Sequence, residues 1–165
     1  MTDLAINGGS KVREKLFPAH RTVGQEEVAS VVKVMENGVL SKYLGAWHPD
    51  FYGGPTVNAL EKSWAERFGV KHAVAVNSNT SGLFCAMGAI GIEPGDEVIV
   101  CGYSMSISAV APLLYGGIPI FADIEEDCFC LSADRVAEKI TSRTKAILVV
   151  DLFGQVYDVT RINAL

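Results

Sequence analysis

The sequence lacks clusters of basic residues and long uninterrupted hydrophobic segments. Its 14 lysines and arginines are scattered among 19 acidic residues, which leaves a formal net charge of −5. Nucleic-acid-binding surfaces need clustered positive charge, so we expect no nucleic-acid partner. Residues 98–122 carry no charge, but Gly102, Pro112, Gly116 and Pro119 interrupt them. Because a membrane-spanning helix needs about 20 continuous apolar residues, we expect no membrane association.

Cysteine and histidine are also scarce, and their spacing fits no metal site. The chain has four cysteines and three histidines. Cys128 and Cys130 form a Cys-Phe-Cys sequence, which differs from the Cys-x-x-Cys pattern of zinc and redox sites. We therefore expect no metal, and interpret the cysteines as small buried side chains in a reducing cytoplasm. The N-terminal residues lack the apolar core of a signal peptide, which agrees with a cytoplasmic location.

The composition is that of a folded domain, with 49% hydrophobic and 20% charged residues in 165. Residues 1–70 predict a helical N-terminal arm. Apolar residues at helical spacing precede Gly38, and a second helix is predicted from Pro55 to Gly69. A loop rich in glycine and aromatic residues separates the two helices.

From residue 71 to residue 165, apolar strands alternate with helices. Strands are predicted at 72–77, 97–101, 118–122 and 145–153, and helices at 83–90, 106–115, 133–140 and from Asp158 onward. Ser132 is positioned to cap the third of these helices. Near-continuous apolar strands that alternate with helices indicate a parallel sheet that is covered on both faces.

The sequence Ser78-Asn79-Thr80-Ser81 lies between a predicted strand and a predicted helix. Ligands of open α/β sheets bind beyond the carboxyl ends of the strands, and a helix N-terminus offers unpaired amides to an anion. The four residues therefore predict a phosphate site. A simple helix cap explains them equally well. The glycine-rich patterns of dinucleotide-binding and Walker-type phosphate loops are absent.

Several blocks together resemble one protein family, in order GGPTVNALEKSWAERFGVKHAVAVNSNTSGL, GIEPGDEVIV, GGIPIFADIEEDCFCLS and ITSRTKAILVVDLFGQVYDV. From about Phe17 to the end, the chain resembles the DegT/DnrJ/EryC1/StrS family. Its members are pyridoxal-phosphate-dependent aminotransferases that act mainly on keto sugars, usually nucleotide-linked. The resemblance implies an α/β fold, the three-layer parallel sheet of the aspartate-aminotransferase-like (fold type I) large domain. Residues 71–165 would be its N-terminal, incomplete part.

The resemblance also implies roles for individual residues. Ser78, Asn79, Thr80 and Ser81 match the loop that holds the phosphate of pyridoxal 5'-phosphate, with Asn79 in place of the family's glycine. Met105 occupies the position of an aromatic residue that stacks on the pyridine ring. Because methionine departs from that pattern, Tyr103 is the alternative stacking residue.

Lys42, Tyr43 and Trp47 lie where the family places a loop near the substrate and the dimer partner. The resemblance implies that they contact the keto-sugar substrate, although they could also be plain loop anchors. It further implies a cytoplasmic homodimer that takes its amino group from glutamate or glutamine.

The lysine that forms a Schiff base with the cofactor is expected beyond Leu165, and no lysine of this chain stands in the family's lysine context. We therefore expect a truncated fold, either a fragment or a broken gene product of a longer enzyme. A sugar dehydratase of the same family and a catalytically inactive relative that acts only in binding are the alternatives.

Overall fold

The structure is a computed structural model that describes residues 3–165. These form two compact units, one up to Ala73 and the other Val74–Leu165. The first unit contains two helices, α1 (Gln25–Asn37) and α2 (Pro55–Phe68), with short 3-10 turns at Ala5–Asn7 and Pro49–Tyr52. The roles assigned above to 1–70 and 71–165 remain predictions.

The second unit has alternating helices and strands. In chain order they are α3 (Asn79–Ala89), β1 (Glu97–Cys101), α4 (Ile107–Leu113), β2 (Ile118–Ala122), α5 (Ala133–Ala137), β3 (Thr144–Leu148), a 3-10 turn (Leu152–Gly154) and α6 (Val159–Asn163). Among the residues that the structure describes, no helix is long and apolar enough to cross a bilayer.

Both helices of the first unit end where the sequence predicts, and the second begins at Pro55 as predicted. The Glu27 carboxylate accepts a hydrogen bond from the Gly24 amide at 2.6 Å, which closes the start of α1. This amide lowers the pKa of Glu27. Gly38 and Gly69 end the helices in the left-handed conformation, with φ of 72° and 64°.

The sheet has β1 at its centre and runs in the order β2-β1-β3, with both pairs parallel. Every residue of β1 is buried. Because successive side chains of a strand point to opposite faces, β1 supplies both layers of the core.

Two apolar clusters cover the two faces of the sheet. Ile99 packs with Val136 of α5 and Ile162 of α6. Val100 packs on the opposite side with Met87 of α3 and Ala111 of α4. The three-layer arrangement with a parallel sheet is therefore the one that the sequence predicts.

A buried ionic contact fixes the beginning of β1. The Glu97 carboxylate accepts hydrogen bonds from the Thr141 hydroxyl at 2.5 Å and from Arg143 Nε at 2.9 Å. The Thr141 hydroxyl, and next the Arg143 guanidinium, hold the pKa of Glu97 below its ordinary value. Glu97 is 2% exposed, so these contacts supply the partners that a buried carboxylate requires.

Several predicted elements differ from the structure. Residues 72–77 form no strand, and Val74 is 78% exposed. The strand predicted at 145–153 spans Thr144–Leu148, and its last residue pairs with Val100 of β1.

The helices of the second unit also differ from their predictions. The helix predicted at 83–90 spans Asn79–Ala89, so Asn79, Thr80 and Ser81 lie in its first turn and not before it, and the helix predicted at 106–115 spans Ile107–Leu113. The helix predicted at 133–140 ends at Ala137, and the Ser132 side chain does not cap it. The final helix ends at Asn163, where we expected it to continue to the last residue.

Candidate functional site

The first turn of α3 contains four of the predicted site residues. Ser78 is the residue that caps the helix, and its Oγ accepts a hydrogen bond from the Ser81 amide at 3.1 Å. The Gly82 amide donates to the Ser78 carbonyl at 3.1 Å, which is the first bond of the helix. The amides of Asn79 and Thr80 consequently have no partner inside the helix.

The surroundings of this turn favour a negatively charged ligand. The first turn of α3 contains no acidic residue. Asn79 and Thr80 are exposed and Ser81 is half-buried. Ser78 donates its hydroxyl proton to Ser81 Oγ at 3.1 Å, so the Ser81 hydroxyl proton remains available. Within residues 3–165, the Thr80 hydroxyl makes no hydrogen bond.

The helix-cap interpretation and the phosphate-site interpretation therefore each apply, but to different atoms of the same turn. The Ser78 side chain is a helix cap, as the simpler interpretation requires. The amides of Asn79 and Thr80 and the Thr80 hydroxyl remain for a ligand. A phosphate fits this set, because the helix dipole and unpaired amides favour an anion.

Tyr103 and Met105 follow β1 at the carboxyl end of the sheet. Tyr103 is 52% exposed and Met105 is 77% exposed. The amide of Tyr103 donates to the sulfur of Cys101 at 3.2 Å, which holds the loop against the end of β1. Either side chain has the exposure that ligand stacking requires, and their role remains a prediction.

Two phenylalanines around Tyr103 were missed by the sequence analysis. The Tyr103 ring lies 5.9 Å from the Phe129 ring and 6.5 Å from the Phe153 ring, centroid to centroid. Both phenylalanines have left-handed backbones, with φ of 61° and 55°. Such angles are unfavourable for bulky residues, so no sequence pattern would have predicted them.

The three predicted substrate residues lie in one closed loop of the first unit, residues 42–53. The Gly53 amide donates to the Lys42 carbonyl at 2.8 Å, and Lys42 Nζ lies 3.2 Å from Asp50 Oδ1. Trp47 stacks on Phe51 at 5.9 Å and remains 92% exposed. The structure therefore brings Lys42, Tyr43 and Trp47 into one loop that is closed by a hydrogen bond and an ion pair. Their contact with a substrate remains a prediction.

The cysteines are only partly as expected. Cys101 and Cys130 are buried, Cys128 is half-buried and Cys85 is exposed. Burial raises the pKa of the Cys101 thiol. Within residues 3–165, no group of three His, Cys, Asp or Glu side chains is placed to hold a metal ion.

Comparison with known proteins identifies the family. The family model described as "DegT/DnrJ/EryC1/StrS aminotransferase family" matches residues 20–165. The chain belongs to this family. Spore coat polysaccharide biosynthesis protein SpsC of Bacillus subtilis (strain 168) is 40% identical over 142 residues, which are 86% of this chain and 34% of that protein. L-glutamine:2-deoxy-scyllo-inosose aminotransferase of Streptomyces lividus is 33% identical over 165 residues, 98% of this chain and 37% of that protein.

Solved structures agree with the family assignment. 3-Amino-5-hydroxybenzoic acid (AHBA) synthase has a TM-score of 0.80 and 29% identity, over 90% of this chain and 36% of that chain. GDP-4-keto-6-deoxymannose-3-dehydratase, solved with a trapped PLP-glutamate geminal diamine, has a TM-score of 0.77 and 26% identity, over 88% of this chain and 36% of that chain. These likenesses confirm the expected fold type I architecture. The chain spans about a third of the length of the curated relatives it matches.

Proposed function

We propose that this chain is the N-terminal part of an aminotransferase that depends on pyridoxal 5'-phosphate. The enzyme aminates a nucleotide-linked keto sugar, with glutamine or glutamate as donor. The observation that carries the proposal is the first turn of α3. In this turn, two amides have no hydrogen-bond partner within the helix, and hydroxyl protons are free to donate. The chain also belongs to a family of aminotransferases.

The residues of this turn would hold the cofactor's phosphate. The Thr80 hydroxyl and the amides of Asn79 and Thr80 donate to phosphate oxygens, and the Ser81 hydroxyl adds a further donor. The Ser78 side chain keeps the turn in shape through its bond with the Ser81 amide. When bound, the cofactor serves as an electron sink and carries the amino group from donor to acceptor.

Other residues would orient the pyridine ring of the cofactor and the keto-sugar substrate. We assign the face of the pyridine ring to Tyr103 or Met105, both exposed beyond β1. We assign contact with the keto-sugar substrate to Lys42, Tyr43 and Trp47. No lysine of this chain is assigned to covalent attachment of the cofactor, and the active enzyme is proposed to be a cytoplasmic homodimer.

A nitrogen-transfer experiment tests the reaction. The complete gene product is incubated with pyridoxal 5'-phosphate, glutamine labelled with ¹⁵N at the α-amino group, and 2-deoxy-scyllo-inosose, the substrate named for one relative. Mass spectrometry should find the label in an amine formed from the keto compound. A panel of nucleotide-linked keto sugars extends the test. The incubation is repeated with glutamate labelled in the same way, and label that stays entirely in the donor with both donors and every acceptor would contradict the proposal.

The likeness to GDP-4-keto-6-deoxymannose-3-dehydratase supports a second candidate, a dehydratase. The same experiment separates the two, because dehydration removes the elements of water from the sugar and transfers no label to it. A protein that acts only in binding would retain the cofactor and change neither compound.

A further inference from the structure

Two cysteines that the proposed function does not use lie in one tight turn of the second unit, residues 125–130. The Phe129 amide donates to the Glu125 carbonyl at 3.0 Å, and the Glu125 amide donates to the Cys130 carbonyl at 2.9 Å. Phe129 stands between the two cysteines with a φ of 61°, a left-handed conformation that bulky residues rarely adopt. Backbone strain of this kind persists only where the surrounding structure enforces it, and it is concentrated in functional segments.

The turn brings the two sulfurs close together. A left-handed residue holds the Cα atoms of its two neighbours about 5.5 Å apart, inside the range of about 4.4–6.8 Å that a disulfide requires. The Cys130 amide lowers the pKa of the Cys128 thiol, whereas burial and the Cys130 side chain raise it, and the pKa is raised overall. Both the amide and the side chain of Cys130 therefore lie against the Cys128 sulfur.

The two thiols differ in their exposure and in their partners. Cys128 is half-buried, so a small oxidant can reach its sulfur, whereas Cys130 is 1% exposed. Cys130 Sγ donates to the Gln155 carbonyl at 3.3 Å, which ties the turn to the loop that follows β3. Cys128 is therefore placed to react first, and Cys130 is placed to react with Cys128.

A low-molecular-weight disulfide such as glutathione disulfide oxidises such a pair in two exchange steps. The Cys128 thiolate attacks one sulfur of the oxidant, which forms a mixed disulfide and releases one glutathione. The Cys130 thiolate then attacks the Cys128 sulfur, which forms the bond between the two cysteines and releases the second glutathione. Two electrons pass from the cysteine pair to the oxidant, and the two cysteine protons end on the released glutathione molecules.

We propose that Cys128 and Cys130 form a redox-active dithiol, which glutathione disulfide or a similar small disulfide oxidises to a reversible disulfide within the turn. The proton that Cys130 donates to Gln155 is lost in this reaction, so the turn separates from the loop that follows β3. Two cysteines with one intervening residue close a small, strained ring, and strained disulfides are the easily reduced, regulatory ones. Transient disulfides of this kind are the ones found in reducing compartments.

The position of the turn connects the cysteine pair with Tyr103. The Phe129 ring, which stands between the two cysteines, lies 5.9 Å from the Tyr103 ring. Closing the disulfide changes the backbone on both sides of Phe129 and therefore changes this ring contact. Tyr103 is one of the two residues assigned to the pyridine ring. An effect on cofactor binding consequently rests on the proposed function, whereas the thiol chemistry does not.

Cleavage of the complete gene product after glutamate separates the cysteines for mass spectrometry. Cuts after Glu126 and Glu138 release a fragment that contains Cys128 and Cys130 and no other cysteine, while Cys85 and Cys101 fall in other fragments. The protein is first incubated with glutathione disulfide, and its remaining thiols are alkylated. The fragment should then have lost two hydrogen atoms and should carry no alkyl group. Excess reduced glutathione should restore both thiols.

Serine variants separate the roles of the two cysteines. Cys130→Ser should stop at the mixed disulfide, so the fragment carries one glutathionyl group, and the serine hydroxyl can still donate to the Gln155 carbonyl. Cys128→Ser should give neither product, because Cys130 is buried. Cys85→Ser is the matched control and should leave closure of the pair unchanged, because α3 contains no other cysteine. Circular dichroism of each variant checks that the helices are intact.

Hydrogen exchange measured by mass spectrometry follows the turn itself. The amides of Glu125 and Phe129 should exchange faster in the oxidised protein, because their hydrogen bonds close the turn in the reduced protein. Unchanged exchange in a fully oxidised protein would contradict the separation of the turn. A fragment that keeps two free thiols after incubation with glutathione disulfide would overturn the proposal, as would an unaltered response in Cys128→Ser.

Equilibrium dialysis with pyridoxal 5'-phosphate tests the connection with Tyr103. The oxidised protein should bind the cofactor more weakly than the reduced protein, and Cys128→Ser treated in the same way should keep its affinity. Equal affinities in the reduced and the oxidised protein would contradict the connection and leave the proposed function intact. Absence of binding in the reduced protein would contradict the proposed function, and the fragment masses would still decide whether the cysteine pair closes.

Discussion

Replacing Thr80 by valine separates the two possible roles of the first turn of α3. Valine keeps the shape of threonine and removes its hydroxyl, which makes no hydrogen bond within the described chain. The helix cap, from the Ser81 amide to Ser78 Oγ at 3.1 Å, does not involve this hydroxyl. Thr80→Val therefore changes the ligand-binding atoms and leaves the cap intact.

The expected magnitudes follow from these contacts. Thr80 is exposed, so the free energy of unfolding should change by less than about 0.5 kcal/mol. A hydrogen bond to a charged group contributes about 1.5–3 kcal/mol, and the exposure of the turn favours the lower value. The affinity for pyridoxal 5'-phosphate should then fall about tenfold.

Ser78→Ala provides the converse variant. It removes the cap of α3 and should cost about 1 kcal/mol of stability, measured by urea denaturation. Equilibrium dialysis with pyridoxal 5'-phosphate measures affinity for both variants in the complete gene product. An unchanged affinity in a folded Thr80→Val protein would refute the assignment of this hydroxyl to the phosphate.

Three further variants test the fold around the two candidate sites. Glu97→Gln should flatten the loss of stability in acid, measured by urea denaturation at several pH values. Because the pKa of Glu97 is lowered in the folded state, its carboxylate stabilises the fold fully above the ordinary pKa of about 4.3. This contribution is lost as the pH falls through the lower folded value. Ile99→Ala should cost about 2–5 kcal/mol in the same assay, since Ile99 is completely buried, and a cost below 1 kcal/mol would contradict the central position of β1. Gly53→Val should lower the stability of the loop that packs against Tyr43, because a Cβ at this position would approach Tyr43 Cζ to 2.7 Å, and an unchanged urea midpoint would contradict this packing.

Local sequence patterns predict the elements whose signals are complete within a few residues. The strands at 97–101 and 118–122 match the structure to the residue, because short apolar runs stand between glycine, proline and acidic residues. The ends of α1 and α2 also match, since Gly38 and Gly69 adopt the left-handed conformation that ends helices.

Patterns that depend on a distant partner were predicted less well. Residues 72–77 have the composition of a strand. A strand also needs a partner strand for its backbone hydrogen bonds, and local composition does not specify that partner. The run after Lys145 continues to be apolar, yet β3 ends at Leu148 near the end of β1. The apolar run therefore extends beyond the paired part of the strand.

The candidate sites show the same division. The sequence predicts that Ser78–Ser81 stand just before a helix. The structure makes Ser78 the cap and puts the other three residues in the first turn, and it shows that the Ser78 side chain already accepts the Ser81 amide. The contacts of Tyr103 with Phe129 and Phe153 join three separate loops, and left-handed phenylalanines have no local sequence signal. The closed loop 42–53 likewise depends on a contact between residues far apart in sequence, the hydrogen bond from the Gly53 amide to the Lys42 carbonyl.

The most direct test of the central claim is a crystal structure of the complete gene product with pyridoxal 5'-phosphate. The account predicts phosphate oxygens about 2.7–3.0 Å from the Thr80 hydroxyl and from the amides of Asn79 and Thr80. A bound cofactor whose phosphate lies elsewhere, with the first turn of α3 making no contact to it, would contradict the account.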